Sequence, residues 1–360
     1  MEAKKEYVML SSIDPVLTTN VPEYKEEKIR GKDYISYGKD NKYPQYLWDL
    51  YNNVATLQSI INGTVDFVCG NTIRLNVTGF EDGIINKKGE TVEELVRRLE
   101  LDNLVFGGFA LQVIRNMAGD VAEIYNVDLM KLRSDEKNEI FYYCDDWTKW
   151  GAKALIYPKY KEGDNNPTSI FYFKGLAKGV YPVPYYNASI IACELEKAIN
   201  EFHINNINNG FMSNLVINFN NGQPNEQQKE EIERDVNEKF SGYQNAGRIL
   251  ISYNDSSENA TTIERLSGDD FDEKYEALAK RSRTQIFTAF RANPNLFGIP
   301  NENNGFSQEE YQASFNLYNR TAVRPRQAEL VDAFDKIFGV KGAITITPFS
   351  LEDNRNEQVS

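Results

Sequence analysis

The stretch RANPNLFGIPNENNGFSQEEYQASFN, residues 291–316, joins two long helical patterns through a run rich in Asn, Pro and Gly. Connections in compact domains usually take about four to six residues, and longer ones without structure of their own tend to be functional or disordered. On its N-terminal side, 269–290 places Phe271, Tyr275, Leu278, Ile286 and Phe290 on one apolar side of a helix. Asp269 or Asp270 can cap that helix, and an acidic first turn suits its dipole. On the C-terminal side, Ser307 and Glu310 make a capping box, with Phe306 and Tyr311 as the hydrophobic staple. That second pattern runs to about Phe338 with Pro325 inside it, which predicts a kink, and Gly339 ends it. A polar loop with a pinned exit is read either as a contact device or as a plain surface connection.

Upstream, 188–213 carries Ile191, Leu195, Ala198 and Phe202 at spacings of four, three and four, one helical stripe. Its second half is polar and Asn-rich, which suits a helix packed around a wet channel. Between it and the 269–290 helix lies a small β-α-β-β unit. Its strands are read at 215–219, 247–254 and 260–267, and its helix at 225–240 has Asn225 as N-cap. The N-terminal half reads as α+β with a mostly antiparallel sheet. An amphipathic helix running through Leu47, Leu50, Tyr51, Val54, Leu57, Ile60 and Ile61 stops at Gly70-Asn71. A short helix follows at 91–104. FALQVIRN and DVAEIYNVD flank MAG as a hairpin, and EIFYYCDDW and TSIFYFKG add aromatic strands. A last strand is read at 343–349, followed by a polar tail.

Composition narrows the function. The 360 residues suffice for two domains or one large elongated one, and 41% hydrophobic content can build a core. No apolar run is long enough for a membrane helix, and the N-terminus lacks the apolar region of a secretory signal. Cys69, Cys144 and Cys193 are widely spaced and read as reduced, buried small hydrophobes. One histidine, His203, nearly excludes His-based triads and multi-His metal sites, so neither a metal nor a cofactor is expected. His203 is read as a solvated helix residue or a pH-sensitive helix contact. A net charge of −13 without a long Lys/Arg block argues against tight duplex DNA binding by phosphate neutralisation. An acidic protein can still let DNA pass without holding it. An acid-pair hydrolase is the alternative, but it would need two carboxylates converging in a pocket, and no isolated acid in an apolar setting announces one. A carbohydrate- or protein-binding adhesin, a structural rather than catalytic protein, is a third reading, resting on aromatics and Asn alone.

The order of parts from about residue 30 to 345 resembles the portal proteins of tailed bacteriophages. YGKDNKYPQYLWDLYNN looks like the family's N-terminal segment and GGFALQVIRNMAGDVAEIYNVD like its wing hairpin. NAGRILISYN is similar to the strand after the clip helix, and QIFTAFRANPNLFGI to the end of the second stem helix. Pro325 in a long late helix also fits.

The resemblance implies an α+β, portal-like chain without enzymatic activity. Residues 1–187 would form the mixed α/β wing. The two long antiparallel stem helices would be 188–213 and 269–292, around a small α/β clip insert at 214–268. Residues 293–306 would be the tunnel loop, 307–338 the kinked long helix, and 339–360 the final wing strand and polar tail, with little or no crown.

It also implies a homo-oligomeric ring, usually of twelve copies, at one vertex of the virion capsid, assembled in the host cytoplasm. The ring's partners would be the major capsid protein, the large terminase during packaging, the head-tail adaptor, and double-stranded DNA without sequence preference. Within it, Asn295, Asn301, Glu302, Asn303 and Asn304 would line the channel, although Asn and Gly are also plain turn formers. Phe297 and Ile299 would anchor the loop. Glu230, Glu231 and Glu233 would be accessible on the clip. Arg281 and Arg283 would form basic rings in the tunnel or pair with acids of the next copy.

Overall fold

The structure is a computed structural model. It describes residues 6–10, 22, 24–149, 151–208, 215–219, 224–240, 249–253, 269–299 and 308–350, and at 6–10, 81, 205–208, 215–219, 233, 235–240, 249–253 and 269–274 it describes the backbone alone. In chain order the elements are β1 (Glu6–Leu10), α1 (Tyr43–Asn53), α2 (Ala55–Cys69), β2 (Thr72–Leu75), α3 (Val92–Phe106), β3 (Phe109–Arg115), β4 (Val121–Asn126) and β5 (Leu132–Ser134). There follow β6 (Ile140–Tyr143), β7 (Leu155–Pro158), β8 (Thr168–Phe173), α4 (Ile190–Asn208), β9 (Leu215–Phe219), α5 (Glu226–Phe240), β10 (Ile249–Tyr253) and α6 (Asp269–Phe290). The chain closes with α7 (Gln308–Tyr318), a π-helical turn (Asn319–Val323), α8 (Arg324–Phe338) and β11 (Ile344–Thr347). It divides into two compact units, Val21–Cys193 with Arg283–Ser360, and Met1–Asn20 with Glu194–Ser282, and the division falls within α4 and α6.

In the larger unit, α1, α2 and α3 pack with the sheet of β3, β4 and β8. Leu47, Leu50, Leu57, Ile60, Ile61, Val96 and Leu99 are fully buried there. The helical stripe read through Leu47–Ile61 is correct in period but is two helices. Val54 is extended (φ −111, ψ 103). Val54 N still closes the last turn on the Leu50 carbonyl (2.9 Å), and Gln58 N then bonds to the Val54 carbonyl (3.0 Å), so Val54 both ends α1 and opens α2. α3 starts with a full capping box: Thr91 N donates to Glu94 Oε2 (2.9 Å) and Glu94 N to Thr91 Oγ1 (3.3 Å). It ends at Gly107, whose φ of 87 and a would-be Cβ 2.1 Å from the Val183 carbonyl leave room for glycine alone.

Among the described residues the strands of this unit form three antiparallel sheets. β3 pairs with β4 (Leu111↔Asn126) in the expected hairpin, and with β8 on its other side (Phe109↔Phe173). A second sheet runs β5-β6-β7, and β11 pairs with β2 from Ile344↔Leu75 to Thr347↔Thr72. β5 and β7, of three and four residues, were too short to show an alternation in the sequence. Arg133 on β5 is wholly buried, and among the described residues no carboxylate forms an ion pair with it. Its Nη2 donates to the Asn41 carbonyl (2.6 Å) and its Nη1 to that of Leu132 (2.7 Å), between the rings of Tyr37 and Trp147.

In the smaller unit β9 and β10 are parallel, as a strand–helix–strand crossover through α5 allows, and β1 joins β10 antiparallel, giving the order β1-β10-β9. Asn225 caps α5 reciprocally with Gln228: Gln228 N donates to Asn225 Oδ1 (2.9 Å) and Asn225 N to Gln228 Oε1 (3.1 Å). β1 had no counterpart in the sequence reading, because its partner strand lies far along the chain, from Glu6↔Tyr253 to Leu10↔Ile249. The strand read at 260–267 lies outside the described residues. Phe202 of α4 and Tyr275 of α6 meet at 4.6 Å, and His203 lies 5.7 Å from the same Tyr275 ring.

The helix read as 307–338 with a kink at Pro325 is α7, a π turn and α8 in sequence, with Pro325 the second residue of α8. Pro has no N–H and its ring would press on the carbonyl four residues back, that of Thr321. The chain meets this by widening the preceding turn, where Arg324 N bonds to the Asn319 carbonyl, five residues back.

Candidate functional site

The long loop of the opening stretch has a built base. α6 closes at Arg291, a non-glycine residue at φ 54, and a single 3-10 turn (Pro294–Phe297) follows. Asn293 holds that turn twice: its Oδ1 accepts from Asn295 N (3.2 Å) and its Nδ2 donates to Ser314 Oγ on α7 (2.8 Å). Gly298 (φ 79) then turns the chain towards the loop.

Phe297 is the centre of an aromatic group in the larger unit. Its ring lies 5.7–6.0 Å from those of Phe67, Phe287 and Tyr318, edge to face with the first and last. It is seated directly on Gly63 of α2, where a Cβ would stand 2.8 Å from the ring. Ile299 packs against the same core. Beneath them, Thr64 Oγ1 and Tyr318 Oη share a 2.6 Å hydrogen bond, and burial pushes the Tyr318 phenol up.

Of the channel residues named from the sequence, Asn295 is buried at 8% exposure in the 3-10 turn, with Oδ1 unpartnered, so its carboxamide faces the interior of the protomer. Asn301, Glu302, Asn303 and Asn304 lie outside the described residues, as does Ser307 of the capping box. Arg281 and Arg283 are exposed on α6, either side of the buried Ser282. Glu230 and Glu231 are exposed on α5 in the smaller unit, and at Glu233 only the backbone is described. The structure thus brings together Asn295, Phe297 and Ile299. The sequence reading missed Gly63 and Asn293, which complete the base. A glycine in the middle of a strongly apolar helix was the available signal for the first.

Among the described residues no cluster of His, Cys, Asp or Glu could hold a metal ion, and no helix is long and apolar enough to cross a membrane. The profile of the family described as phage portal protein matches residues 87–350. That is nearly three quarters of the chain. The chain belongs to the phage portal protein family.

Its fold is shared by chains of solved structures. The chain is similar to one in the neck of a native gene transfer agent particle computed with C12 symmetry (16% identity, 86% of each chain covered, TM-score 0.52). It is similar also to one in the neck of the empty particle computed with C6 symmetry (17%, covering 87% of this chain and 86% of that one, TM-score 0.52). A third likeness is to a chain of the native gene transfer agent virion (17%, covering 85% and 83%, TM-score 0.53). At these identities the likeness concerns the fold. No curated protein matches the chain by sequence.

Proposed function

We propose that this portal-family chain is the protomer of a closed homo-oligomeric ring at one vertex of a virion, the channel through which the genome is packaged and ejected. Membership of the family, over 87–350, is the observation that carries the reading. The C12 and C6 symmetry of the similar neck structures supports a ring of twelve. A ring closed by rotation needs two different complementary faces on each copy. Ile191 (73% exposed), Ile204 (56%) and Leu317 (65%) are apolar side chains that a neighbouring copy could cover.

Within that ring, 188–213 and 269–292 act as antiparallel stem helices and 214–268 as the clip. Glu230, Glu231 and Glu233 stand where a terminase and then a head-tail adaptor would dock. Asn301, Glu302, Asn303 and Asn304 offer amides and one carboxylate to duplex DNA, contacts that form and break without counterion-driven sticking. Phe297 and Ile299 are the loop's anchor, and Asn295, being buried, belongs with them. The wing contacts the major capsid protein.

Negative-stain microscopy of the purified chain tests the reading: closed rings with a central hole are expected, and a monomeric or filamentous population across a wide concentration range would overturn it.

A further inference from the structure

Beside the π turn the larger unit buries more charge than it neutralises. Glu100 of α3 is fully buried. Its Oε2 accepts from Asn103 Nδ2 (3.3 Å), and Arg326 Nε of α8 stands 3.5 Å from its Oε1 without forming an aligned hydrogen bond. Glu329, one turn further along α8, lies in the neighbourhood of the same guanidinium and carboxamide. Two carboxylates therefore crowd one guanidinium. Glu100 Oε1, Asn103 Oδ1, Arg326 Nε and Glu329 Oε2 are all buried without a hydrogen-bond partner. Arg326 is held in place by two other contacts: Nη1 donates to the Ala322 carbonyl within the π turn (2.8 Å), and the guanidinium lies 4.7 Å over the Tyr185 ring. The same side chain thus grips the widened turn and faces α3.

We propose that Glu100, Glu329 and Arg326 form a proton-sharing clamp that ties α8, and through Arg326 the π turn ahead of it, to α3, with one guanidinium and one proton serving the two carboxylates. When that proton leaves, two negative charges face one positive charge in a buried space, the start of α8 lifts from α3, and the turn that Arg326 grips opens with it. The other ionisable groups around the clamp are Tyr185, Tyr318 of α7 and Cys69 of α2; burial raises all three, the first and the last to about 12, so they stay neutral through the range that matters. Burial pushes the Glu100 carboxyl up to about 7 and raises that of Glu329. A carboxyl raised on folding adds stability that is complete below its unfolded value and lost as pH rises through its folded one. The seated turn is therefore the acid form.

The clamp belongs to the single chain, and its test needs no ring. Hydrogen exchange followed by mass spectrometry over peptides spanning 317–326, corrected for intrinsic rates, reads the opening directly. In the wild type, opening should rise by about tenfold per pH unit between pH 5 and 7 and flatten above. In Glu100→Gln and in Glu329→Gln the slope should vanish, because one carboxylate beside Arg326 is neutralised without a proton. Asp102→Asn, a buried neighbour on α3 that faces Asn126 instead, should keep the slope. Circular dichroism melts establish that each variant is folded, and if Glu100→Gln is not, Glu329→Gln decides alone. A flat wild-type profile, or a slope that survives in the folded variants, would overturn the clamp.

Discussion

Phe297 and Gly63 form one contact seen from both sides. The ring occupies the space a side chain at 63 would need. Phe297→Ala should cost about 3 kcal/mol, the low end for a buried phenylalanine because this ring is only half-buried, read as a shifted urea midpoint at unchanged slope. Gly63→Ala should also destabilise, although alanine is the better helix former by about 1 kcal/mol, because the added methyl meets the ring. A more stable Gly63→Ala would show that the ring can move aside. Asp102, pushed up to about 7 by burial, predicts a pH dependence of its own. Its contribution is fully present below the ordinary aspartate range and lost as pH rises towards 7. Asp102→Asn should therefore be the more stable protein at pH 8 and differ little from wild type near pH 4, as chemical denaturation at the two pH values would show. Neither partner was legible beforehand: a glycine in an apolar helix signals a close approach without saying what approaches, and an aspartate in a helical pattern does not say what packs on it.

At the scale of elements, the sequence was read well where the signal is local. The helix read at 91–104 is α3, and Asn225 caps α5 as read, because such patterns and caps involve residues a few positions apart. Hairpin β3–β4 followed from its turn and its alternation. The reading missed the break between α1 and α2, where Val54 is extended although the apolar period continues. The break read at Pro325 is there, taken up by a π turn ahead of the proline. Restoring the N–H with Pro325→Ala should allow that turn to relax towards α-helical spacing, which a structure of the variant would show as an i→i−4 bond at Arg324. A π turn that persists would mean that the burial of Ala322 and Val323 sets it instead.

At the scale of the whole molecule, the acidic balance matters most. A ring of copies each carrying a net charge of −13 should hold duplex DNA weakly, with a shallow dependence of affinity on salt, measurable by filter binding. A steep dependence would reveal a concentrated basic surface. Removing 301–305 should leave rings intact while lowering packaging, since Leu296 and Phe297 of the base stay behind; loss of the rings would make the segment structural. The sequence by itself determined the helices, the caps, the hairpin, the strand–helix–strand insert and the family, because each rests on residues near one another or on the order of parts along the chain. Only the tertiary structure decided that β1 pairs with β10 and β11 with β2, that Asn295 turns inward, and that Glu100 meets Arg326. Those depend on which distant surfaces exclude water together, and burial of that kind is a property of the folded chain that no local pattern encodes.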